Sequence, residues 1–220
     1  MSGTLPRSLL MPSTSQLPVE WYFDEKLLEL ELKTIFAAGA NYVGHELMVP
    51  NMNDYRSEEW NDHAQIIIRQ EDGVYEMSNV CRHRQAIMLE GLGHAKNIVC
   101  PIHRWTYDCG GTLVGAPHFD TNPALSLKKQ LLENWQGLLF RGPGSANADL
   151  AGMQFTSVFD FAGYRLDRVE LHECHYNWKT FIEVYLEDYH VGPYHPGLGS
   201  FVTCDDLSWQ FGDWYSVQRV

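Results

Sequence analysis

Cys81-Arg82-His83, then sixteen residues, then Cys100-Pro101-Ile102-His103: the reading of this stretch decides the fold. Two short loops each offer one thiolate and one imidazole. Zinc also takes two Cys and two His in tetrahedral geometry, but its usual spacings pair like ligands, as C-x2-C with H-x3–5-H. Loops that each mix a Cys with a His suit a 2Fe–2S centre instead, in which two Cys bind one iron and two His the other. Neutral imidazoles in place of two thiolates leave the oxidised cluster less negative and easier to reduce. The ligand spacing therefore favours an iron–sulfur cluster over zinc.

Outward from these loops, the chain from about Tyr42 to Arg141 reads as short strands separated by turns. Ala64, Ile66 and Ile68 alternate with His63, Gln65 and Ile67. Asp72-Gly73 predicts a tight hairpin, with Val74 to Val80 returning. Ile98-Val99 leads into the second loop, and Trp135 to Phe140 reads as a closing strand. An all-β domain is what two ligand loops need, because rigid strands fix their separation. Gly142 to Asp149 (Gly-Pro-Gly-Ser-Ala-Asn-Ala-Asp) is the best linker candidate.

N-terminal to the strands, residues 1–20 form a polar, Pro-containing arm. Asp24 is a plausible cap for a helix to about Ala38, with Gly39 as the stop. Leu28, Leu32, Ile35 and Phe36 make one apolar stripe, which predicts a packing face. The 220 residues are 45% hydrophobic, an ordinary globular composition able to bury a core. The net charge of −12 argues against a nucleic-acid partner. No apolar run is long enough to span a bilayer, and Met1 to Leu17 does not read as a secretory signal, so a cytoplasmic location is expected. Cys109, Cys174 and Cys204 are scattered and read as reduced, small buried hydrophobes.

A second constellation lies beyond the linker: Asn177-Trp178-Lys179, Glu183, Tyr185, Glu187, Asp188, Tyr189, His190 and His195. Asn177 predicts a helix cap, with the helix running to about His190. Glu187 and His190 then share a face. Gly192-Pro193 is expected to break the helix, so His195 must come from the following turn and fold back. Two imidazoles near carboxylates suit a non-haem Fe(II) site of two His and one carboxylate, with positions left for dioxygen and substrate. Read alone, two His five apart are more often core or surface residues than ligands.

Together the two motifs resemble the Rieske non-haem iron oxygenase (ring-hydroxylating dioxygenase-type) α subunits, over essentially the whole chain to at least Pro196. Cys81-Arg82-His83-Arg84 and Cys100-Pro101-Ile102-His103 resemble the Rieske cluster motif, with Trp105-Thr106-Tyr107, Gly110-Gly111 and Gly115-Ala116-Pro117 following. The family usually has Gly directly after the last His, where Arg104 stands here. High-potential Rieske proteins carry an extra Cys in each loop; Ala86 and Ile102 stand at those places, so the resemblance is to the low-potential branch. Asn-Trp-Lys, a Glu four residues after the Lys, then Tyr-His-x4-His is similar to the family's mononuclear-iron motif. The family's Asn before its Tyr is Val184 here.

The resemblance implies an α+β chain: an arm and helix at 1–40, an all-β Rieske domain at 41–145, and at 150–220 the start of a helix-grip, START-like catalytic domain. It implies Cys81, His83, Cys100 and His103 as cluster ligands, His190 and His195 as iron ligands, and Glu187 as the acid that carries electrons between the two sites. Many ring dioxygenases have Asp at that place; Glu is more like the carnitine and glycine-betaine type. The family's third iron ligand, an Asp, matches none of Asp205, Asp206 or Asp213. The chain ends 25 residues after His195, so it reads as the N-terminal part of a longer subunit.

The implied function is a terminal oxygenase that inserts oxygen from dioxygen by aromatic ring hydroxylation or by N-methyl or C–H hydroxylation of a quaternary-ammonium-type compound. The implied partners are a reductase that draws on NAD(P)H, with or without a ferredoxin, and further copies of the chain in a homotrimer or a multiple, with cross-subunit electron transfer. The rival is a Rieske ferredoxin-like electron carrier, which needs no second iron.

Overall fold

The computed structural model describes residues 17–153, 156–187, 189–201 and 207–219. The arm at 1–16, Asp188, Cys204, Asp205 and Asp206 lie outside the described residues. The chain divides into two compact units, one of Gly39–Asn147 with Phe155–Leu171, the other of Met1–Ala38, Ala148–Gln154 and His172–Val220.

The first unit is built on antiparallel strands: β1 Asn41–His45, β2 Asp54–Ser57, β3 Gln65–Gln70, β4 Gly73–Ser78, β5 Leu92–His94, β6 Asn97–Val99, β7 Thr106–Asp108, β8 Leu113–Gly115, β9 Lys129–Leu131, β10 Glu133–Trp135 and β11 Leu138–Arg141. They form a five-stranded sheet in the order β5-β2-β3-β4-β9 and two three-stranded sheets, β1-β11-β10 and β6-β7-β8. β3 is the central strand. Successive side chains point to opposite faces, so Ile66 and Ile68 enter one core with Met77, Ile98, Trp105 and Tyr107. Ile67 enters the other with Val43, Val49, Val74 and Leu139. All three isoleucines are fully buried. The alternation read from the sequence is present, but both faces of the strand are covered.

The β3–β4 hairpin forms one residue earlier than the Asp-Gly pair suggests. Gln70 pairs with Gly73, leaving Glu71-Asp72 as the loop. The single closing strand from Trp135 to Phe140 is instead a hairpin, in which Trp135 pairs with Leu138. Gln136 at φ 53° and Gly137 at φ 89° supply the two positive φ angles that a two-residue I′ turn requires. The boundary between the two units falls within residues 142–149, after Asn147, and a helical turn, Ala146–Asp149, occupies the second half. Both oxygens of Glu133 cap it, taking the backbone N–H of Ala146 (2.7 Å) and of Asn147 (3.1 Å).

A buried acid pair lies within this unit. Glu58 is fully buried, and Glu76 on β4 nearly so. The Arg141 guanidinium reaches Glu58 Oε2 at 3.4 Å and also contacts Glu76. Gln130 donates to Glu76 Oε2 at 2.6 Å. Burial pushes the Glu58 carboxyl up to about 7 from 4.5; Glu76 adds to the rise, while Arg141 and Asn61 oppose it. A raised acid pKa in the fold favours the protonated form. Its stabilising contribution is whole below pH 4.5 and is lost as pH rises through about 7. Thermal unfolding should show Tm falling over this window in the wild type and falling less in Glu58→Gln, which holds the neutral form at every pH. Equal slopes for the two proteins would show that Glu58 does not titrate there.

In the second unit, helix α1 spans Glu25–Glu31 and continues as a wider π-type turn over Leu32–Phe36. Asp24 caps it, its Oδ1 accepting from the N–H of Lys26 (2.9 Å) and Leu27 (3.3 Å). The apolar stripe is not a buried face: Leu28, Leu32, Ile35 and Phe36 are 37–52% exposed, and the buried member of the helix is Glu31. An ion pair, not the stripe, selects the inward face, as described below. α2 is the Ala146–Asp149 turn, which the division of the chain splits after Asn147; α3 spans Trp178–Tyr185 and α4 Val191–Tyr194. α3 stops short of His190, after a run of Phe181, Ile182, Val184 and Tyr185, types with weaker helix propensity. Gly192-Pro193 lies inside α4 and does not end a helix there. Pro193 is the third residue of α4, where a backbone N–H would lack a helical partner, so the missing donor costs nothing. β12 Ser208–Phe211 and β13 Ser216–Arg219 pair as an antiparallel hairpin. Cys109 is buried as expected, but Cys174 is exposed. Among the described residues no helix is long and apolar enough to cross a membrane.

Candidate iron–sulfur and iron sites

The two ligand loops are one turn written twice. Cys81 accepts the N–H of Gln85 at 2.9 Å and donates its own N–H to Ala86 O at 2.9 Å. Cys100 accepts from Arg104 at 3.1 Å and donates to Trp105 O at 2.8 Å. In each loop the fourth residue after the Cys is left-handed, Gln85 at φ 58° and Arg104 at φ 61°. That backbone explains why Gly suits the place where Arg104 stands. A side chain in this region costs about 1 kcal/mol, so Arg104→Gly should raise the unfolding free energy by about 0.5–1 kcal/mol, measured by urea denaturation. A loss of stability would mean that the arginine side chain holds the loop.

The closures bury both thiols and bring the two imidazoles together. Cys81 and Cys100 are buried with free thiols. The His83 and His103 rings meet edge to face, 4.7 Å between centroids. His83 stacks on buried Trp105 at 4.9 Å, with the planes 6° apart, and Phe119 closes edge-on against both rings. His83 Nδ1 is buried without a hydrogen-bond partner among the described residues. Burial, then the charges of His103 and Arg84, holds the His83 imidazole below its usual range, so it stays neutral. A neutral imidazole with an unpartnered buried nitrogen, a second imidazole 4.7 Å away and two buried free thiols are a donor set that fits a 2Fe–2S centre. Tyr107 supports the set: its hydroxyl accepts the Arg82 N–H at 3.0 Å and lies 3.6 Å from Cys81 Sγ. Burial pushes the phenol up, which keeps its proton available to the sulfur.

The second donor group sits at the end of α3. Asn177 Oδ1 accepts the Lys179 N–H at 3.0 Å and starts the helix. Past Tyr185 the chain turns, so Glu187 and His190 meet through that turn and do not share a helical face. Glu187 Oε1 lies 2.5 Å from His190 Nδ1 and Oε2 accepts the His190 N–H at 3.3 Å. Burial pushes the Glu187 carboxyl up, but hydrogen bonds from the His190 side chain and the backbone N–H groups of Tyr189 and His190 outweigh it and hold the carboxyl low. A carboxylate on Nδ1 fixes the proton there and leaves Nε2 free as a metal donor. The α4 turn brings His195 back, with its ring 5.4 Å from that of His190. Among the described residues no three His, Cys, Asp or Glu side chains group closely enough to hold one ion, so Asp213 does not join the pair.

Two features were not legible as roles. Trp105 and Tyr107 stand beside the second loop in sequence, but nothing there says that one stacks on His83 and the other reaches Cys81. Glu31 carries no signal at all: its partner Lys179 lies 148 residues away.

Comparison with known proteins matches residues 39–134 to the Rieske [2Fe-2S] domain and residues 161–220 to the ring hydroxylating alpha subunit (catalytic domain). The chain is 58% identical to a putrescine 2-hydroxylase of Ralstonia nicotianae, over 96% of this chain and 58% of that protein. It is 30% identical to the carnitine monooxygenase oxygenase subunit of Escherichia coli, over 86% of this chain and 54% of that one. Among solved structures it is similar to a quaternary ammonium Rieske monooxygenase described for carnitine oxidation and inter-subunit electron transfer. That match has a TM-score of 0.73 and 27% identity, over 90% of this chain and 58% of the other. The chain thus spans little more than half the length of each of these three proteins.

Proposed function

Because this chain belongs to the Rieske-type ring-hydroxylating oxygenase α subunits, we propose that it forms the electron-accepting and iron-binding part of a terminal oxygenase that hydroxylates an aliphatic C–H of a cationic amine. The observation that carries this reading is the presence of two donor sets in one chain, Cys81, His83, Cys100 and His103 in the first, His190 and His195 in the second, with Glu187 held on His190 Nδ1. When bound, the cluster supplies one-electron transfer and the mononuclear Fe(II) supplies dioxygen activation. The residues do the rest. Tyr107 steadies the Cys81 thiolate, Trp105 and Phe119 keep water from His83, and Glu187 fixes the His190 tautomer. Glu187 is also the group through which the electron passes between the sites.

The overall change is a C–H bond, dioxygen, two electrons and two protons giving C–OH and water. NAD(P)H supplies the electrons through a partner reductase, with or without a ferredoxin. The subunits assemble as a trimer or a multiple in a cytoplasmic setting, where Glu187 would pass the electron across the subunit boundary. Putrescine and carnitine, named for the relatives, both carry a positively charged nitrogen. A chain with net charge −12 attracts such substrates. That favours an aliphatic amine over an aromatic ring.

The test supplies the gene product with reductase, NAD(P)H and putrescine. His190→Ala should lose hydroxylated product on the order of a hundredfold or more, as expected for a lost ligand, while reduction of the cluster by the reductase is unchanged. If His190→Ala loses nothing, the chain is an electron carrier.

A further inference from the structure

We propose that Glu31, on the N-terminal helix, is a positioning residue for the iron-binding turn, acting through the start of α3; this rests on the reading of His190 and His195 as metal ligands. Lys179, the second residue of α3, is only 6% exposed, and Glu31 only 8%. Lys179 Nζ lies 2.7 Å from Glu31 Oε1 and 2.8 Å from Oε2. Trp178 Nε1 donates to Oε2 at 2.9 Å. Asn177, besides capping α3, donates its Nδ2 to Tyr22 O at 3.1 Å. The Tyr22 hydroxyl bonds to Glu183. The Phe36 ring packs edge-on against Trp178 at 5.2 Å. Every polar side chain of the Asn177-Trp178-Lys179…Glu183 motif therefore contacts the segment 22–31, and none of these contacts is to the two imidazoles.

The electrostatics explain why Glu31 is required. A lysine in the first turn of a helix faces the positive end of the helix dipole. Buried there without a partner, its charge would be strongly destabilising. The Glu31 carboxylate offsets both effects, since an anion is favourable at a helix N-terminus. α3 thus begins at one fixed place. Glu187 emerges two residues past the end of α3, and its position sets His190. The motif that accompanies the iron ligands is a clamp on the N-terminal segment.

The test is calorimetric titration of Co(II) alone into the protein carrying its cluster, with the reduced-cluster EPR signal as a control. The wild type should bind one Co(II) that His190→Ala does not. Glu31→Ala should bind it roughly 10–100-fold more weakly, the range for lost supporting partners of metal ligands. Glu31→Gln and Trp178→Phe, which each remove part of the clamp, should fall between, with the EPR signal unchanged in all. If Glu31→Ala perturbs the helix content by circular dichroism, these two milder variants decide the matter. Binding within twofold of wild type in all of them overturns the proposal while leaving the iron reading intact. Equal Co(II) binding by wild type and His190→Ala overturns the iron reading and the proposal with it.

Discussion

Cys100→Ser should yield a chain without acid-labile sulfide and without the visible absorption of an iron–sulfur centre. Cys100 is 2% exposed at the base of its loop, and its backbone closes the turn that presents His103. A buried hydroxyl is a poor iron ligand, and cluster binding is coupled to folding, so the variant loses several kcal/mol of stability as well as the cluster. Cys109→Ser is the control. The Cys109 thiol is also buried, but it donates to Ala95 O at 2.9 Å. A serine there keeps a donor, and the cluster should load in full. Sulfide analysis on the two purified variants separates the roles; a cluster retained in Cys100→Ser would remove that residue from the ligand set.

Trp105→Ala should be the most damaging substitution outside the ligands. Trp105 is 1% exposed, stacks on His83 and joins the core of Ile66, Ile68 and Ile98. Truncating a buried Trp costs about 3–5 kcal/mol, by lost transfer energy and the cavity left behind. Here it also frees the His83 ring. Urea unfolding of the cluster-loaded protein measures the first effect, and the reduced-cluster EPR line shape reports the second. Trp105→Phe keeps a ring against His83 and should lose less. A cost below about 1 kcal/mol for Trp105→Ala would mean that the core refills the space.

Local chemistry was legible in the sequence, and long-range pairing was not. The mixed Cys/His loops and the caps at Asp24 and Asn177 each depend on residues within a few positions, and the structure places both caps there. The strand pattern around Ile66–Ile68 shows the alternation but not that both faces are covered, because that depends on β1 and β11, which pair Asn41 with Arg141. The stripe of Leu28, Leu32, Ile35 and Phe36 predicts burial, yet the inward face is set by Lys179, far along the chain. Gly192-Pro193 reads as a break because proline interrupts helices. Its effect depends on position, and in a first turn it is harmless.

Iron and acid-labile sulfide per chain, measured after anaerobic reconstitution, test the central claim most directly. The account predicts about three irons to two sulfides, one 2Fe–2S centre on Cys81, His83, Cys100 and His103 and one further iron on His190 and His195. A chain without sulfide that binds zinc in place of iron would contradict it.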